Sequence, residues 1–233
     1  MSIGLASCLV CGEPLKYFED AQEFECHICH GRMIGHASCE AGHFVCDSCH
    51  RSAGVDYILG YCLDSDLNDP IEILIDIMRY QAIYPNGPEH HTLVGAALLT
   101  AYQNSGGDID LSVALGELQK RSLDVPGGTC GFWGCCGAAI SAGMYMSIIS
   151  GSTPMTREPW ALSTRLTALI LEELARVGGP RCCKRTSFTS VLIAAKYTEE
   201  YLGVRMSSPE ETICTFSARN AECIGKRCPY KVA

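Results

Sequence analysis

The first fifty residues carry four pairs of metal-binding side chains, and each pair has two residues between its members. The pairs are CLVC at 8–11, CHIC at 26–29, HASC at 36–39 and CDSC at 46–49. This spacing places two ligands on one tight turn, where both can bind the same ion. So short a segment cannot bury enough apolar surface to fold by itself, and we expect metal ions to replace its hydrophobic core.

Eight ligands make two tetrahedral sites, and closed cysteine-rich shells of this kind hold structural zinc. The predicted ligands of two zinc ions are Cys8, Cys11, Cys26, Cys29, Cys39, His43, Cys46 and Cys49. His43 competes with His36 for the one imidazole position, since Cys39, His43, Cys46 and Cys49 also form a plausible ligand set. The spacing leaves open which pairs share an ion, and iron in a rubredoxin-like site is the minor alternative.

Composition places the whole chain among globular proteins. Of its 233 residues, 47% are hydrophobic and 19% are charged, and the net charge of −8 argues against nucleic acid as the main ligand. The apolar runs are shorter than the roughly 20 residues that a membrane span needs. We therefore expect a cytoplasmic protein, where sixteen cysteines indicate metal or redox chemistry, and an anaerobic source.

Apolar residues spaced three and four apart predict helices after the cysteine-rich segment. The clearest start is at Asp69 and Pro70, an N-cap followed by proline in the first helical position. Further helical stretches are HHTLVGAALLTAYQN, DIDLSVALGELQKRSL, CGAAISAGMYMSIISG, EPWALSTRLTALILEELARV and SFTSVLIAAKYTEEYL. We predict a mainly α fold, with a zinc-ribbon-like or treble-clef-like module over residues 1–62 and a helical domain over residues 63–233.

The helical domain has eight further cysteines, whose spacing is unlike that of a zinc site. They are Cys130, Cys135, Cys136, Cys182, Cys183, Cys214, Cys223 and Cys228. Any single cysteine of these could be a small buried hydrophobic residue. Eight cysteines that lie next to Gly, Arg and Pro instead favour an iron–sulfur cluster with four irons and four sulfides. Cys228 precedes a proline, which is a recurring feature of cluster ligands.

Two of these segments, GTCGFWGCCG and GGPRCCKR, lead into helices. Free amides at a helix start stabilise a thiolate or the sulfides of a cluster, so we expect lowered pKa values for Cys135 and Cys136. We also expect one cysteine of each Cys-Cys pair to converge with a tail cysteine. The cations Arg181, Lys184 and Arg185 should then line an anionic pocket.

The chain resembles two families. Over nearly its full length, from CLVCG through GPEHHTLVGAALLTAYQN and PGGTCGFWGCCGA to CIGKRCPY, it looks like an uncharacterised cysteine-rich family of archaea and anaerobic bacteria. The segments GCCGAAISAGMYMSIISGSTP and GGPRCCKRTSFTSVLIAAKY also resemble the α-domain of iron–sulfur L-serine dehydratases and cysteine desulfidases. That resemblance implies cluster ligation by Cys135 and Cys182 and matches Arg185 to a family arginine. The family's third cluster cysteine has no counterpart in LILEELARVGG.

The loop GPEHHTLVG resembles the substrate loop of the same dehydratases, with His91 and Thr92 matching its last two positions. The resemblance implies a lyase that acts on a small sulfur-containing or hydroxyl amino acid through an open iron. His90, His91 and Arg185 are then the candidate catalytic residues, as bases or anion binders. Sulfur transfer is a second enzymatic expectation, made from the adjacent thiols.

The alternative is a protein without catalysis. It would be a zinc or iron–sulfur module for interaction or electron transfer that docks a partner such as a methyltransferase. The expected partners are therefore an anionic small molecule or another protein, with a homodimer as the expected assembly.

Overall fold

The computed structural model describes residues 8–80 and 82–231, apart from the side chain of residue 47. Its N-terminal part contains an antiparallel hairpin of β1 (Leu15–Glu25) and β2 (Arg32–Cys39). The register pairs Leu15 with Cys39 and Glu25 with Arg32, and it shifts between Tyr17 and Gln22. The hairpin thus brings the segment before β1 beside the segment after β2, and the two turns that carry cysteines lie at its ends.

Eight helices follow the hairpin within the described residues. They are α1 (Asp47–Asp64), α2 (Pro70–Met78), α3 (His90–Asn104), α4 (Leu111–Leu123), α5 (Thr129–Phe132), α6 (Gly137–Ile149), α7 (Glu158–Val177) and α8 (Cys183–Leu202). Two 3₁₀ turns, Ser217–Arg219 and Gly225–Arg227, lie in the C-terminal tail. The mainly α fold with a small metal-site module is confirmed.

Side chains at the helix starts explain several of these boundaries. The Asp69 carboxylate accepts hydrogen bonds from the amides of Ile71 and Glu72, which opens α2 at Pro70. Asp110 caps α4 in the same way, through the amide of Val113 at 3.0 Å. The predicted N-cap at Asp69 is confirmed, because this signal is local to the sequence.

Helix α3 is the centre of the bundle. Its residues from His90 to Tyr102 are all buried, and it packs against α1, α2, α4, α6 and α8. Small residues let neighbouring helices approach closely, and the Gly95 amide donates to the Ser141 hydroxyl of α6 at 2.8 Å. The bundle therefore fixes where α3 and α8 begin, and both beginnings carry chemically active side chains.

Helix α1 was not among the predicted helices. Its N-cap is Cys46, whose sulfur accepts from the amide of Cys49 at 3.5 Å. The helix packs on α2, α3 and α4, so one element carries cysteines at its start and joins the bundle along its length. The division at residue 62 stays a prediction.

Two glycines inside helices give a matched test of this packing. A Cβ on Gly95 would lie 2.7 Å from a Leu118 methyl and 3.1 Å from the Ser141 carbonyl oxygen, whereas a Cβ on Gly116 would meet nothing within 4 Å. Gly95→Ala should lower the free energy of unfolding by about 1–3 kcal/mol through overpacking. Gly116→Ala should raise it by about 0.5–1 kcal/mol, since alanine loses less entropy on folding. Urea unfolding measures both, and equal effects would contradict the packing described.

Candidate metal centres and polar cleft

The first metal-binding group lies where the segment before β1 meets the end of β2. It consists of Cys8, Cys11, Cys39 and His43, whose ligand atoms all lie within 4.8 Å of one another. The Cys11 and Cys39 sulfurs are 3.8 Å apart, and His43 Nδ1 lies 3.5 Å from the Cys39 sulfur. Such distances suit ligands of one tetrahedral ion, because Zn–S bonds of about 2.3 Å put sulfurs a little under 4 Å apart.

The second group joins the turn between β1 and β2 to the start of α1. It consists of Cys26, Cys29, Cys46 and Cys49, again within 4.8 Å of one another. The Cys46 amide donates to the Cys26 sulfur at 3.4 Å. Burial opposes ionisation of Cys26, but this amide and those of Cys29 and Ile28 lower its pKa to about 6. The group therefore favours a bound cation.

The two groups answer the question of pairing. Cys8 and Cys11 share one site with Cys39 and His43. Cys26 and Cys29 share the other with Cys46 and Cys49, so the ligands of the two sites alternate along the chain. His43 is the imidazole of the first group. His36 instead lies on β2, with Nδ1 3.3 Å from the Phe18 carbonyl oxygen.

A cleft of about 950 Å³ separates this module from the helices. Side chains of the module on its wall include Tyr17, Met33, Ile34 and Phe44. The opposite wall includes Arg51, Asn86, Glu89 and Arg181. Its size is that of a small-molecule site, with apolar walls and a few polar groups.

Glu89, His90 and Lys184 form a buried polar line behind the cleft. Glu89 Oε1 lies 3.3 Å from His90 Nδ1, and His90 Nε2 lies 3.2 Å from Lys184 Nζ. His90 Nδ1 is closer still to the Gly87 carbonyl oxygen, at 3.1 Å, which can only accept. The hydrogen of a neutral His90 therefore belongs on Nδ1, and Nε2 accepts from Lys184.

Burial shapes the charges along this line. Burial and the nearby Lys184 lower the pKa of His90, so its imidazole is neutral at pH 7. Burial lowers the pKa of Lys184 to about 8, against the opposing effect of Glu89. Burial alone would raise the pKa of Glu89, but His90 brings it below its usual value. Glu89 is then the anion at one end of the line and Lys184 the cation at the other, with the neutral His90 between them.

His91 faces another part of the bundle. Its Nδ1 lies 3.1 Å from the Val125 carbonyl oxygen, and a Cβ on Gly137 would lie 2.1 Å from its ring. Glycine at the start of α6 therefore makes room for the imidazole. The two candidate bases are both buried, 1% and 8% exposed for His90 and His91, and neither lies in an open position.

The adjacent cysteines at the start of α8 face different neighbours. Cys182 lines a small pocket together with Cys214, Cys223 and Cys228 of the tail. Burial raises the pKa of Cys214, and the thiols of the other three raise it further, as expected of sulfurs within electrostatic reach. The side-chain amide of Asn220 donates to the Cys182 sulfur at 3.2 Å.

Cys183 lies instead on the side of Glu89, Cys136 and Cys130. Burial raises its pKa to about 12, and these three groups raise it as well. The expectation of a lowered pKa for Cys136 is wrong, because burial raises it and the amides at the start of α6 do not compensate. Cys135 is half-buried, and its amide donates to the Thr129 carbonyl oxygen at 3.2 Å. Cys130 is exposed.

The three cations near this helix start have separate roles. Arg185 is buried and donates to the carbonyl oxygens of Gly178 and Pro180, so it braces the preceding turn. Lys184 and Arg185 line the small pocket with Cys182. Arg181 lies at the rim of the cleft and donates to Glu222 at 3.4 Å.

Sequence reasoning missed the importance of two residues. Glu89 was not among the candidate site residues, yet it is the buried anion of the polar line. Asn220 was not noted, although it is buried and bonds a cysteine sulfur. The available signal was a carboxylate directly before a helix that contains no Asp, Glu, Lys or Arg.

Comparison with known proteins assigns a family but no activity. Residues 58–231 match the model of a family of unknown function, DUF5714, and the chain belongs to that family. No curated protein and no solved structure matches the chain. The resemblance to L-serine dehydratases therefore stays a prediction. None of the described helices is both long and apolar enough to cross a membrane.

The choice of His43 over His36 can be tested directly. His43→Ala should reduce the metal bound by the N-terminal module from two ions per chain to one, because it removes a ligand from the first group. His36→Ala is the matched control and should keep both ions. Metal analysis of the two purified variants measures this. Loss of an ion from the His36 variant alone would contradict the ligand assignment.

Proposed function

We propose that this protein is an iron–sulfur electron carrier whose cluster is bound by Cys182, Cys214, Cys223 and Cys228. Two structural zinc ions hold its N-terminal module, one in each of the groups described above. The observation that carries the proposal is that these four cysteines, one at the start of α8 and three in the C-terminal tail, line one small pocket.

The four pocket sulfurs are not spaced as the ligands of one ion. In the described residues, the groups with three or more ligand atoms within 4.8 Å are the two in the N-terminal module. No three of the four pocket sulfurs are therefore that close together. Ligands of one zinc ion stand a little under 4 Å apart, whereas ligands of a cluster bind different irons and stand farther apart.

The surroundings of the pocket suit an anionic cluster. Lys184 and Arg185 line it, and Lys184 Nζ lies 5.3 Å from the centre of the Phe216 ring on the same pocket. The Asn220 amide donates to the Cys182 sulfur. Hydrogen bonds and cations near the sulfurs stabilise the reduced, more negative state of a cluster.

A four-cysteine ligand set favours electron transfer over lyase chemistry. A cluster that acts as a Lewis acid needs one iron without a protein ligand, so that substrate can bind there. Four cysteines leave no such iron. The closed set therefore supports the alternative stated from the sequence, an electron-transfer module, above the dehydratase-like enzyme.

A lyase is the second candidate, and one observation favours it. The line of Glu89, His90 and Lys184 connects a cleft of about 950 Å³ with the cysteine pocket, which Lys184 also lines. If Cys214 or Cys228 were not a ligand, an iron would be open beside this line. Release of pyruvate from L-serine or L-cysteine by the anaerobic protein would support this candidate.

The cluster assignment predicts a difference between two cysteine variants. Anaerobically purified wild-type protein should be brown and contain about four irons and four sulfides per chain. Cys223→Ser should lose both, because it removes a ligand from the pocket. Cys130→Ser should keep both, because Cys130 is exposed and does not line the pocket.

Iron and sulfide analysis with zinc analysis reads out this comparison. Zinc should stay at two ions per chain in all three proteins, which shows that the N-terminal module is intact. A third zinc ion in place of iron, or cluster loss in Cys130→Ser alone, would contradict the proposal.

A further inference from the structure

The tail that encloses the cysteine pocket is basic, although the chain as a whole has a net charge of −8. Residues 214–231 contain four cations, Arg219, Lys226, Arg227 and Lys231, which we call the basic rim. They contain one acid, Glu222, which is already engaged by Asn86 and Arg181. All four rim cations are exposed, and in the part of the chain that the structure describes none makes an ion pair.

Each cation of the basic rim is tied to the pocket. Lys226 and Arg227 lie in the 3₁₀ turn that leads directly into Cys228. Lys231 donates to the hydroxyl of Ser217, which lines the pocket, at 2.6 Å. Arg219 ends the 3₁₀ turn Ser217–Arg219, and the residues at the start of that turn and directly after it, Ser217 and Asn220, line the pocket. The positive surface is therefore the outer wall of the pocket.

The sulfurs are also near the surface on this side. Cys214, Cys223 and Cys228 are only half-buried, whereas Cys182 on α8 is buried. A cluster bound there would have its most accessible edge beneath the basic rim. Electron transfer between proteins needs such an edge and a weak docking surface, and charge complementarity supplies the docking.

We infer that the basic rim is the docking surface for an acidic protein electron carrier of the ferredoxin type. This inference rests on the proposed function, since it needs the cluster. The reduced carrier gives up one electron and is oxidised, and the cluster takes up that electron and is reduced. No bond or proton has to move. Attraction between the acidic carrier and the rim raises the rate of encounter.

The test uses the full chain with its cluster and a reduced, acidic plant-type [2Fe–2S] ferredoxin as the probe. Stopped-flow absorbance follows reduction of the cluster at low and high salt. At low salt, ferredoxin should reduce the cluster of the double variant Lys226→Glu, Arg227→Glu at a rate at least about tenfold below that of the wild type. Electrostatic steering of this kind changes association rates by about 10–10³-fold. High salt should remove most of the difference.

The matched control is Lys120→Glu with Lys196→Glu, which changes the net charge equally at exposed positions of α4 and α8, outside the tail sequence. Its rate should stay at the wild-type value. Reduction by dithionite, a small reductant that needs no docking, should be alike in all three proteins. Because Arg227 adjoins Cys228, Lys231→Glu serves as a second variant, and iron content is measured in each.

The outcomes separate this inference from the proposed function. Wild-type protein without iron and sulfide would overturn both. A loaded cluster whose reduction by ferredoxin is the same in the rim variants and the control would overturn the inference alone. Rim-dependent binding of an RNA oligonucleotide or of anionic vesicles, without faster reduction by the acidic carrier, would also overturn it.

Discussion

The first turn of α8 is the feature on which the chemistry of this molecule depends. Three successive side chains leave it in three directions: Cys182 towards the tail pocket, Cys183 towards Cys136 and Glu89, and Lys184 towards His90. The helix that carries them is fixed by Phe188 and other fully buried residues in the core. A rigid element of this kind holds reactive groups more accurately than a loop would. Its position explains why the polar line and the cysteine pocket adjoin each other.

The N-terminal module and the helical bundle are connected through the two candidate metal groups. Its hairpin contributes few buried side chains, and its interleaved ligand groups take the place of a core. The second group includes Cys46 and Cys49, at the start of α1, so the same ligands that fold the module also anchor it to the bundle. With an ion in each group, as proposed above, the wall of the cleft formed by the module would depend on bound metal.

Sequence alone predicted what short-range chemistry determines. Asp69 and Pro70 fix the start of α2 by contacts within one turn, and the eight ligands of the module are spaced for metal within their own pairs. To predict which pairs share a site, the register of the hairpin has to be known, and the spacing does not contain it. To predict the raised pKa of Cys136, its burial has to be known, and a helix start in the sequence does not reveal it. Which cysteines line the tail pocket depends on the path of a C-terminal segment with little regular structure, and the sequence does not reveal that path. The sequence analysis could therefore only propose all eight cysteines of the helical domain together.

X-ray absorption spectroscopy at the iron and zinc edges of the anaerobic protein tests the account most directly. The account predicts an iron–iron scattering shell from a sulfur-bound cluster. At the zinc edge it predicts an average shell of seven sulfurs to one nitrogen over two ions, from the seven cysteines and His43. Iron bound by sulfur without an iron–iron shell, or zinc in the helical domain and no iron, would contradict it.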